Sequence, residues 1–330
     1  MRSLFARLRG ACWFLPILLI AANSPASDPY TEVDGERKPW VSVIIKPSES
    51  TPEGQLAHAD ELYQDGKLKK AGKAYHSLVK RWPRSPEAVK AKDRYASVLV
   101  SRGKIRKAFD TYQELIENYA GSFPYEKVLA QQLWIAHEVA TTKKGKFLFF
   151  PGFKDPETAI EMYSKIVSNG PQWEFAPQAQ MRVGRIQEEI KKYDSAIASY
   201  MQTMIRYPDS PFAEDAAFGR IRCLVALSDA SVNDMEVTEE GWHAIGVYQT
   251  KYPDSRFLED VDRMRYHLYR RLALAAYKIA LFYDETASKP RAALEEYRKM
   301  VKRFPKSEWT DKAKQRIDEL QMELEDMSEK

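Results

Sequence analysis

This chain of 330 residues contains none of the usual sequence motifs of catalytic sites, and it has only two cysteines. It has no nucleophile elbow, no glycine-rich dinucleotide turn and no HExxH helix. Gly145-Lys146 is no phosphate loop, because Ala140 stands where the first glycine is required. The five histidines are scattered, with no pair at metal-ligand spacing. We therefore predict no catalytic residue, no cofactor and no metal site, and expect that the protein is not an enzyme.

An excess of charge of one sign is also missing. The formal net charge is +4, and residues 1–26 contribute Arg2, Arg7 and Arg9 without any acid. The remaining residues are 48 basic and 47 acidic, a net charge of +1. Such a balance gives no general attraction for nucleic acid or anionic lipid, so we expect no nucleic-acid partner.

The longest apolar run, about Ala11 to Ala22, is shorter than the roughly 20 residues that span a bilayer. Arginines precede it and Ser24-Pro25-Ala26 follows, the order of a secretory signal peptide. We predict a signal at residues 1–26, cleaved after Ala26; the alternative is an uncleaved anchor. Cys12 lies at the start of the apolar run, whereas a lipobox cysteine follows it, so we expect no lipid on Cys12. With Cys12 removed, Cys223 has no partner for an intramolecular disulfide.

Residues 27–52 contain several prolines and serines and predict an extended N-terminal arm. Within it, residues 40–45 are apolar and partly β-branched. They either pair as a short strand or lie along the first helices.

From Gln55 onward the chain repeats itself. The repeated unit is an alanine, a tyrosine four residues later and a proline eight residues after that. Four copies are complete: Ala71, Tyr75, Pro83; Ala159, Tyr163, Pro171; Ala196, Tyr200, Pro208; and Ala293, Tyr297, Pro305. Two are degenerate: Ala108, Tyr112, Ala120; and Gly241, Ile245, Pro253.

Each position of the unit has a mechanical role. Alanine and tyrosine four apart share a helix face, where the small side chain admits a neighbouring helix and the large one fills the gap beside it. Proline ends the helix because it has no N–H. The serine two residues after the proline is placed to cap the next helix, and Pro86 and Pro211 suit its first position.

A second, amphipathic helix is predicted upstream of each unit, for example at Leu56–Gln64 and Met181–Glu189. Small residues such as Ala59, Ala96 and Gly184 lie twelve positions before the repeat alanine, which is the tetratricopeptide spacing. The predicted fold class is therefore all-α, a tetratricopeptide-repeat α-solenoid of about five to six helix pairs.

We assign this repeat domain to residues 53–330. Successive repeat tyrosines are 37 residues apart where the array is regular, as between Tyr75 and Tyr112, and 51 apart between Tyr112 and Tyr163. The longer spacings predict insertions near residues 141–156 and 228–240. Asp311 to Lys330, with apolar residues at helical spacing, predicts a C-terminal capping helix.

The chain resembles the BamD family, the tetratricopeptide component of the machinery that assembles β-barrel proteins in the bacterial outer membrane. The residues that carry the resemblance are Arg271-Leu272-Ala273, Ile279-Ala280-Leu281-Phe282-Tyr283, Ala292-Ala293 and Arg303-Phe304-Pro305-Lys306-Ser307, with Tyr-Pro-Asp-Ser at 207–210 and 252–255. They are similar in order and spacing to the family's last repeat, and the resemblance covers about residues 53–320.

The resemblance implies a non-enzymatic scaffold that binds unfolded outer-membrane barrel precursors and the large barrel-forming subunit, the latter mainly through its C-terminal repeats. It implies a periplasmic location at the inner face of the outer membrane, with peripheral membrane association. Members of the family are typically lipoproteins, and this chain lacks the lipobox. Periplasmic tetratricopeptide adaptors in cell division or envelope maintenance share the same Tyr-Pro-Asp-Ser motifs. The alternative function is therefore that of such an adaptor.

Two sets of residues are candidates for protein binding. Asp60, Tyr63, Asp93 and Ser97 fall on positions expected to line the groove of a repeat array, or else on ordinary solvated surface. The second set lies in the insertion, directly after three lysines, and consists of Phe147, Phe149, Phe150 and Phe153. These aromatic residues either bind a partner or membrane as an exposed patch, or fold back and plug the helix stack.

Overall fold

The computed structural model describes residues 30–33, 36–39, 46–142, 155–231 and 234–329. The predicted signal at 1–26, the apolar residues 40–45 and the aromatic residues Phe147 to Phe153 lie outside the described residues. Thirteen α-helices, one π-helical turn (Phe282–Thr286) and one two-stranded sheet make up the described part of the chain. The chain divides into two compact units, Met1–Ala88 and Val89–Lys330, and the boundary falls inside the third helix.

The helices follow one another in pairs joined by short turns. Their bounds are α1 Pro52–Gln64, α2 Leu68–Arg81, α3 Pro86–Ser101, α4 Ile105–Asn118, α5 Tyr125–Thr141, α6 Pro156–Asn169, α7 Ala176–Glu189, α8 Tyr193–Arg206, α9 Phe212–Ala230, α10 Met235–Lys251, α11 Leu258–Leu281, α12 Pro290–Arg303 and α13 Thr310–Glu329. The described residues therefore form six pairs and a final helix, within the five to six pairs that the repeat spacing predicts. The all-α fold class is confirmed.

The first unit contains one β-hairpin and the first helix pair. Strands β1 (Tyr30–Val33) and β2 (Glu36–Pro39) are antiparallel, with Tyr30 opposite Pro39. The sequence predicted only an extended arm here, so this hairpin was missed. Helix α1 begins after Thr51, whose hydroxyl accepts a hydrogen bond from the Gly54 amide at 3.1 Å.

The second unit contains the helices from α3 onward. From α4 onward each helix packs on its neighbour in the chain, and α3 shares an apolar cluster with α4. The first helices of successive pairs also touch, α7 on α9 and α9 on α11. Its core is a chain of adjoining apolar clusters spread over α3–α7, α7–α9, α8–α11 and α11–α13. Nearest-neighbour packing of this kind is what a solenoid requires.

The repeat tyrosines are the largest side chains in the cores of both units. Tyr75, Tyr112, Tyr163, Tyr200 and Tyr297 are all 1% exposed or less, and each repeat alanine beside them is fully buried. The fifth pair departs from the prediction. Ile245 is buried at the position where the other pairs have a tyrosine, but it does not fill that place by itself. Tyr248, four residues after Ala244, is also buried and supplies the aromatic ring.

Serine caps the next helix at one of the predicted sites, where the Ser85 hydroxyl accepts from the Ala88 amide at 3.2 Å. The Ser255 hydroxyl accepts from the Phe257 amide at 3.0 Å, but Phe257 precedes α11, which has no side-chain cap. The prediction is wrong at Ser210, where the backbone carbonyl accepts from Ala213, and Pro211 precedes α9 instead of opening it. It is also wrong at Ser307, since α13 begins at Thr310.

Three intrapair turns share one backbone conformation. Gly66, Gly103 and Lys191 have φ of +71°, +68° and +61°, and in each turn the next amide bonds back to the carbonyl five residues earlier. This is the Schellman helix ending, in which a left-handed residue is required. Glycine adopts that conformation without strain, whereas Lys191 holds it with a Cβ.

Candidate functional site

The predicted groove residue Asp60 supports the packing of the first repeat. Its carboxylate accepts a hydrogen bond from the hydroxyl of buried Tyr75 at 2.6 Å. Tyr63, one turn further along α1, is 43% exposed. Among the groove candidates of the first unit, Tyr63 therefore presents the larger accessible surface.

Asp93 and Ser97, on α3 in the second unit, also make contacts within the repeat array. Asp93 forms an ion pair with Lys127 at 3.2 Å, and the Ser97 hydroxyl lies 3.3 Å from that of Tyr112. Burial raises the pKa of Tyr112, and the Ser97 hydrogen bond partly offsets this rise. These contacts give both residues a structural role; a role in binding stays a prediction.

A common arrangement explains Asp60 and Ser97. The hydroxyl groups of most repeat tyrosines lie within hydrogen-bond distance of a polar side chain. The pairs are Tyr75 with Asp60, Tyr112 with Ser97, Tyr200 with Glu188, Tyr248 with Glu214 and Ser255, and Tyr297 with Asp284. A buried hydroxyl needs such a partner. The polar residues that bond to these tyrosines therefore have a structural role.

Tyr200 has the most elaborate of these environments. Its hydroxyl donates to Glu188 at 2.5 Å, and Arg222 binds the same carboxylate through Nε and Nη2, both at 2.8 Å. Burial raises the pKa of Tyr200 far above its usual range, and the Glu188 hydrogen bond raises it further. Burial alone would raise the Glu188 pKa, but the Arg222 and Tyr200 hydrogen bonds hold it below its ordinary value.

Two glycines admit the Tyr200 ring. A Cβ at Gly184 would lie 2.7 Å from the ring, and one at Gly219 would lie 2.6 Å from it. Contacts this short do not occur for real Cβ atoms, so the ring occupies the space that both glycines leave open. Cys223 is buried in the same cluster, and burial raises its pKa to about 12.

An open cleft of about 290 Å³ lies in the second unit. Its lining residues come from three helices: Ala130, Leu133, Trp134 and His137 of α5, Tyr163 of α6, and Gln178 and Arg182 of α7. The α5 residues are spaced i, i+3, i+4 and i+7, which places them on one helix face. Because α5 and α7 are the first helices of successive pairs, the cleft lies on the surface where tetratricopeptide arrays have their groove.

The cleft combines an exposed ring with polar groups. Trp134 is 45% exposed, although indole is usually covered in a folded protein. Tyr163 is 1% exposed and lines the cleft. Burial raises the pKa of its hydroxyl, and the positive charge of Arg182 offsets part of that rise. Tyr163 and Arg182 line the same cleft from α6 and α7.

Sequence reasoning missed this cleft. Trp134, Gln178 and Arg182 belong to no motif, and our groove prediction was counted only from the first two repeats. The spacing of Ala130, Leu133, Trp134 and His137 was a usable signal, since it places a tryptophan and a histidine on one helix face.

No metal-binding group and no membrane helix is found in the part of the chain that the structure describes. Three or more metal-ligand side chains do not come together among the described residues. Within the same residues, no helix is both long enough and apolar enough to cross a bilayer.

Five of the residues that carry the BamD resemblance are core residues. Leu272, Ala273, Ala280, Ala293 and Phe304 are at most 4% exposed. Ile279 on α11 and Phe282 just after it are large apolar residues of the same set, and they are 51% and 53% exposed. The resemblance therefore includes residues that pack the last repeat as well as residues at its surface, of which Ile279 and Phe282 are the large apolar ones.

Comparison with known families identifies the repeats. Two tetratricopeptide-repeat family models match, one at residues 56–123 and the other at residues 178–210 and 274–307. The matched ranges fall on pairs one, two, four and six. The unmatched third pair contains the long insertion, and the unmatched fifth pair has the displaced Tyr248. No curated protein matches the sequence.

Solved structures with similar folds are distant. A tetratricopeptide-repeat protein from Parabacteroides merdae is 14% identical over 82% of this chain and 98% of its own, with a TM-score of 0.31. A thermophilic tetratricopeptide protein from Thermus thermophilus is 14% identical over 67% and 99%, with a TM-score of 0.30. YrrB, a tetratricopeptide protein with an unusual peptide-binding site, is 12% identical over 63% and 90%, with a TM-score of 0.31.

Similarity this low carries no argument about function. The matched ranges and the helix pairs in which they lie identify the kind of repeat. The chain contains tetratricopeptide repeats within an all-α solenoid.

Proposed function

We propose that this protein is an exported, non-enzymatic scaffold that holds other proteins during assembly of β-barrel proteins into the outer membrane. Its tetratricopeptide repeats support the general role, since such repeats bind protein partners or peptides. The observation that carries the proposal furthest is the cleft between α5 and α7, where an exposed tryptophan adjoins several polar groups.

The partner is proposed from the sequence. The signal-like residues 1–26 support export to the periplasm, and the resemblance at residues 271–307 supports the barrel assembly machinery. Ile279 and Phe282 are the exposed large apolar residues of that stretch, and they lie three residues apart at the end of α11 and the start of the π-helical turn. We propose that they contact the barrel-forming subunit, while the α5–α7 cleft takes a segment of an unfolded precursor.

Affinity purification from the native host tests the partner. The tagged protein should recover the barrel-forming subunit, and the double variant Ile279→Ser with Phe282→Ser should lose most of it. Ile205→Ser is the matched control, because Ile205 is also exposed, at 72%, but lies on α8. If the wild-type protein recovers cell-division or envelope-maintenance proteins and never the barrel-forming subunit, the proposal is wrong and the adaptor function replaces it.

Export is tested separately by cell fractionation and mass measurement of the mature protein. A soluble periplasmic chain beginning at Ser27 is the expected result. A chain that keeps residues 1–26, or one that remains in the cytoplasm, would contradict cleavage or export respectively.

A further inference from the structure

An arginine in the α5–α7 cleft has no counter-charge among the described residues. Arg182 is half-buried and makes no ion pair or side-chain hydrogen bond with any of them. By contrast Arg185, on the same helix, pairs with Asp215 at 2.9 Å. A half-buried guanidinium without a partner has lost part of its hydration and gains from an incoming anion. Its planar fork matches a carboxylate, which it binds through two parallel hydrogen bonds.

Other unused polar groups lie beside Arg182. Gln178 is one turn earlier on the same face of α7, and His137 reaches the cleft from α5. Within the described part of the chain neither side chain has a hydrogen-bonding partner, and the Tyr163 hydroxyl has none there either, unlike the other five repeat tyrosines. These groups together offer donors for both oxygens of a carboxylate and for a nearby main-chain carbonyl.

The opposite wall of the cleft is apolar. It consists of Ala130, Leu133 and Trp134 on the exposed face of α5. The 45% exposure of Trp134 leaves much of an indole ring open to a second aromatic or aliphatic side chain.

The size of the cleft limits what enters it. Its volume of about 290 Å³ is at the low end of the roughly 300–1,000 Å³ of small-molecule pockets. It accommodates one or two side chains, so the occupant reaches it as an extended segment of a longer chain. One arginine in a nearly neutral protein is too little positive charge for a nucleic-acid strand.

We infer that the α5–α7 cleft binds an extended segment of another protein that carries a carboxylate side chain next to an aromatic or large aliphatic one. The carboxylate pairs with Arg182 and Gln178, and the apolar side chain packs on Trp134. This inference rests on the proposed function, because it names the class of segment that the scaffold holds.

Binding of labelled peptides to the full-length mature protein tests it. The probe is a fluorescein-labelled nine-residue peptide of serine, glycine and alanine around a central Glu-Phe pair, with its C-terminus amidated. Two comparison peptides carry Gln-Phe and Glu-Ala instead. We expect the Glu-Phe peptide to bind roughly tenfold to a hundredfold more tightly than the Gln-Phe peptide, as for a charged hydrogen bond. Its affinity should fall as salt is raised.

Protein variants locate the contact. Arg182→Gln should remove the preference for Glu-Phe over Gln-Phe, and Trp134→Ala should remove the preference for Glu-Phe over Glu-Ala. Arg298→Gln is the control for charge, because Arg298 is exposed on α12, far along the chain from the cleft. It should leave both preferences unchanged, and urea unfolding should show that all three variants are folded.

Three results would overturn the inference: no binding of any peptide, equal binding of Glu-Phe and Gln-Phe, or an equal loss for both peptides in Arg182→Gln. None of them affects recovery of the barrel-forming subunit, which depends on Ile279 and Phe282. Conversely, the peptides could bind with the expected preferences while the tagged protein recovers no barrel-forming subunit. That pair of results would keep the inference about the cleft and reject the proposed partner.

Discussion

Replacement of Tyr200 by alanine should be among the most damaging changes in the protein. Tyr200 is fully buried, and its ring fills the space between Gly184 and Glu188 on one side and Gly219 on the other. Loss of a fully buried side chain forfeits about 1.5–3 kcal/mol of transfer free energy. If about 100 Å³ stays open, the cavity adds about 2.4 kcal/mol at about 24 cal/mol per Å³. We expect the free energy of unfolding to fall by about 3–5 kcal/mol.

Urea unfolding followed by circular dichroism measures this loss. Tyr266→Ala is the matched control, since Tyr266 is 63% exposed and should cost less than about 1 kcal/mol. Tyr200→Phe keeps the ring and removes one of the donors to Glu188, so it should cost about 1 kcal/mol. A loss below about 1 kcal/mol for Tyr200→Ala would refute the packing described here.

A double-mutant cycle with Gly219 makes the test specific. In the wild-type background Gly219→Ala places a Cβ against the Tyr200 ring and should destabilise the protein by about 1–3 kcal/mol. In the Tyr200→Ala background the obstacle is gone, and Gly219→Ala should stabilise the helix by up to about 1 kcal/mol. If the substitution has the same sign in both backgrounds, ring and glycine are not in contact.

Three further predictions concern other parts of the chain. Lys191→Gly should raise the free energy of unfolding by about 0.5–1 kcal/mol, because φ is +61° there. Gly103→Ala, at the same turn position, should lower the free energy of unfolding. Urea unfolding of both variants measures these changes. Cys223, whose pKa is raised to about 12, should stay unreactive to a thiol reagent at about pH 8 in the folded protein and react fully in urea; rapid native labelling would contradict its burial. Replacing Phe149 and Phe150 by serine should weaken partner recovery with little change in melting temperature if the insertion is a contact, whereas a large fall in melting temperature would support the alternative in which it plugs the stack.

Alkaline pH should destabilise the protein through its buried tyrosines. Burial raises the pKa of Tyr248 to about 12 in the folded state, above the ordinary value of 10.0. The stability this provides is complete below about pH 10 and is lost as pH rises from about 10 to about 12, because only the unfolded chain ionises easily. The midpoint of urea unfolding should therefore fall across this range. The Tyr248→Phe variant should show a smaller fall.

The helix pairs were predictable because their signals are local. Alanine, tyrosine and proline at fixed spacing each have one structural role in the helix pair. The burial of Tyr75 and Tyr297 confirms the packing that this spacing predicts. The fifth pair was harder, since Tyr248 lies three residues after the expected position. The hairpin at residues 30–39 was missed because its pairing involves two four-residue strands without an apolar alternation.

The candidate site was less predictable than the fold. Asp60 and Ser97 were chosen as groove residues, but a sequence does not show that each already faces a buried tyrosine hydroxyl. The α5–α7 cleft depends on two helices that lie far apart in the sequence and are brought together by α6. Arg182 lines this cleft without forming an ion pair with any described residue, and only a three-dimensional structure shows that.

Photo-crosslinking in living cells tests the central claim, that the α5–α7 cleft of an exported scaffold holds segments of other proteins. Trp134 is replaced by a photoreactive benzoyl-phenylalanine, with the same replacement at exposed Ile205 as the control position. After irradiation, mass spectrometry should identify precursors of outer-membrane barrel proteins joined to position 134 and not to position 205. No adduct at position 134, or the same adducts from both positions, would contradict the account.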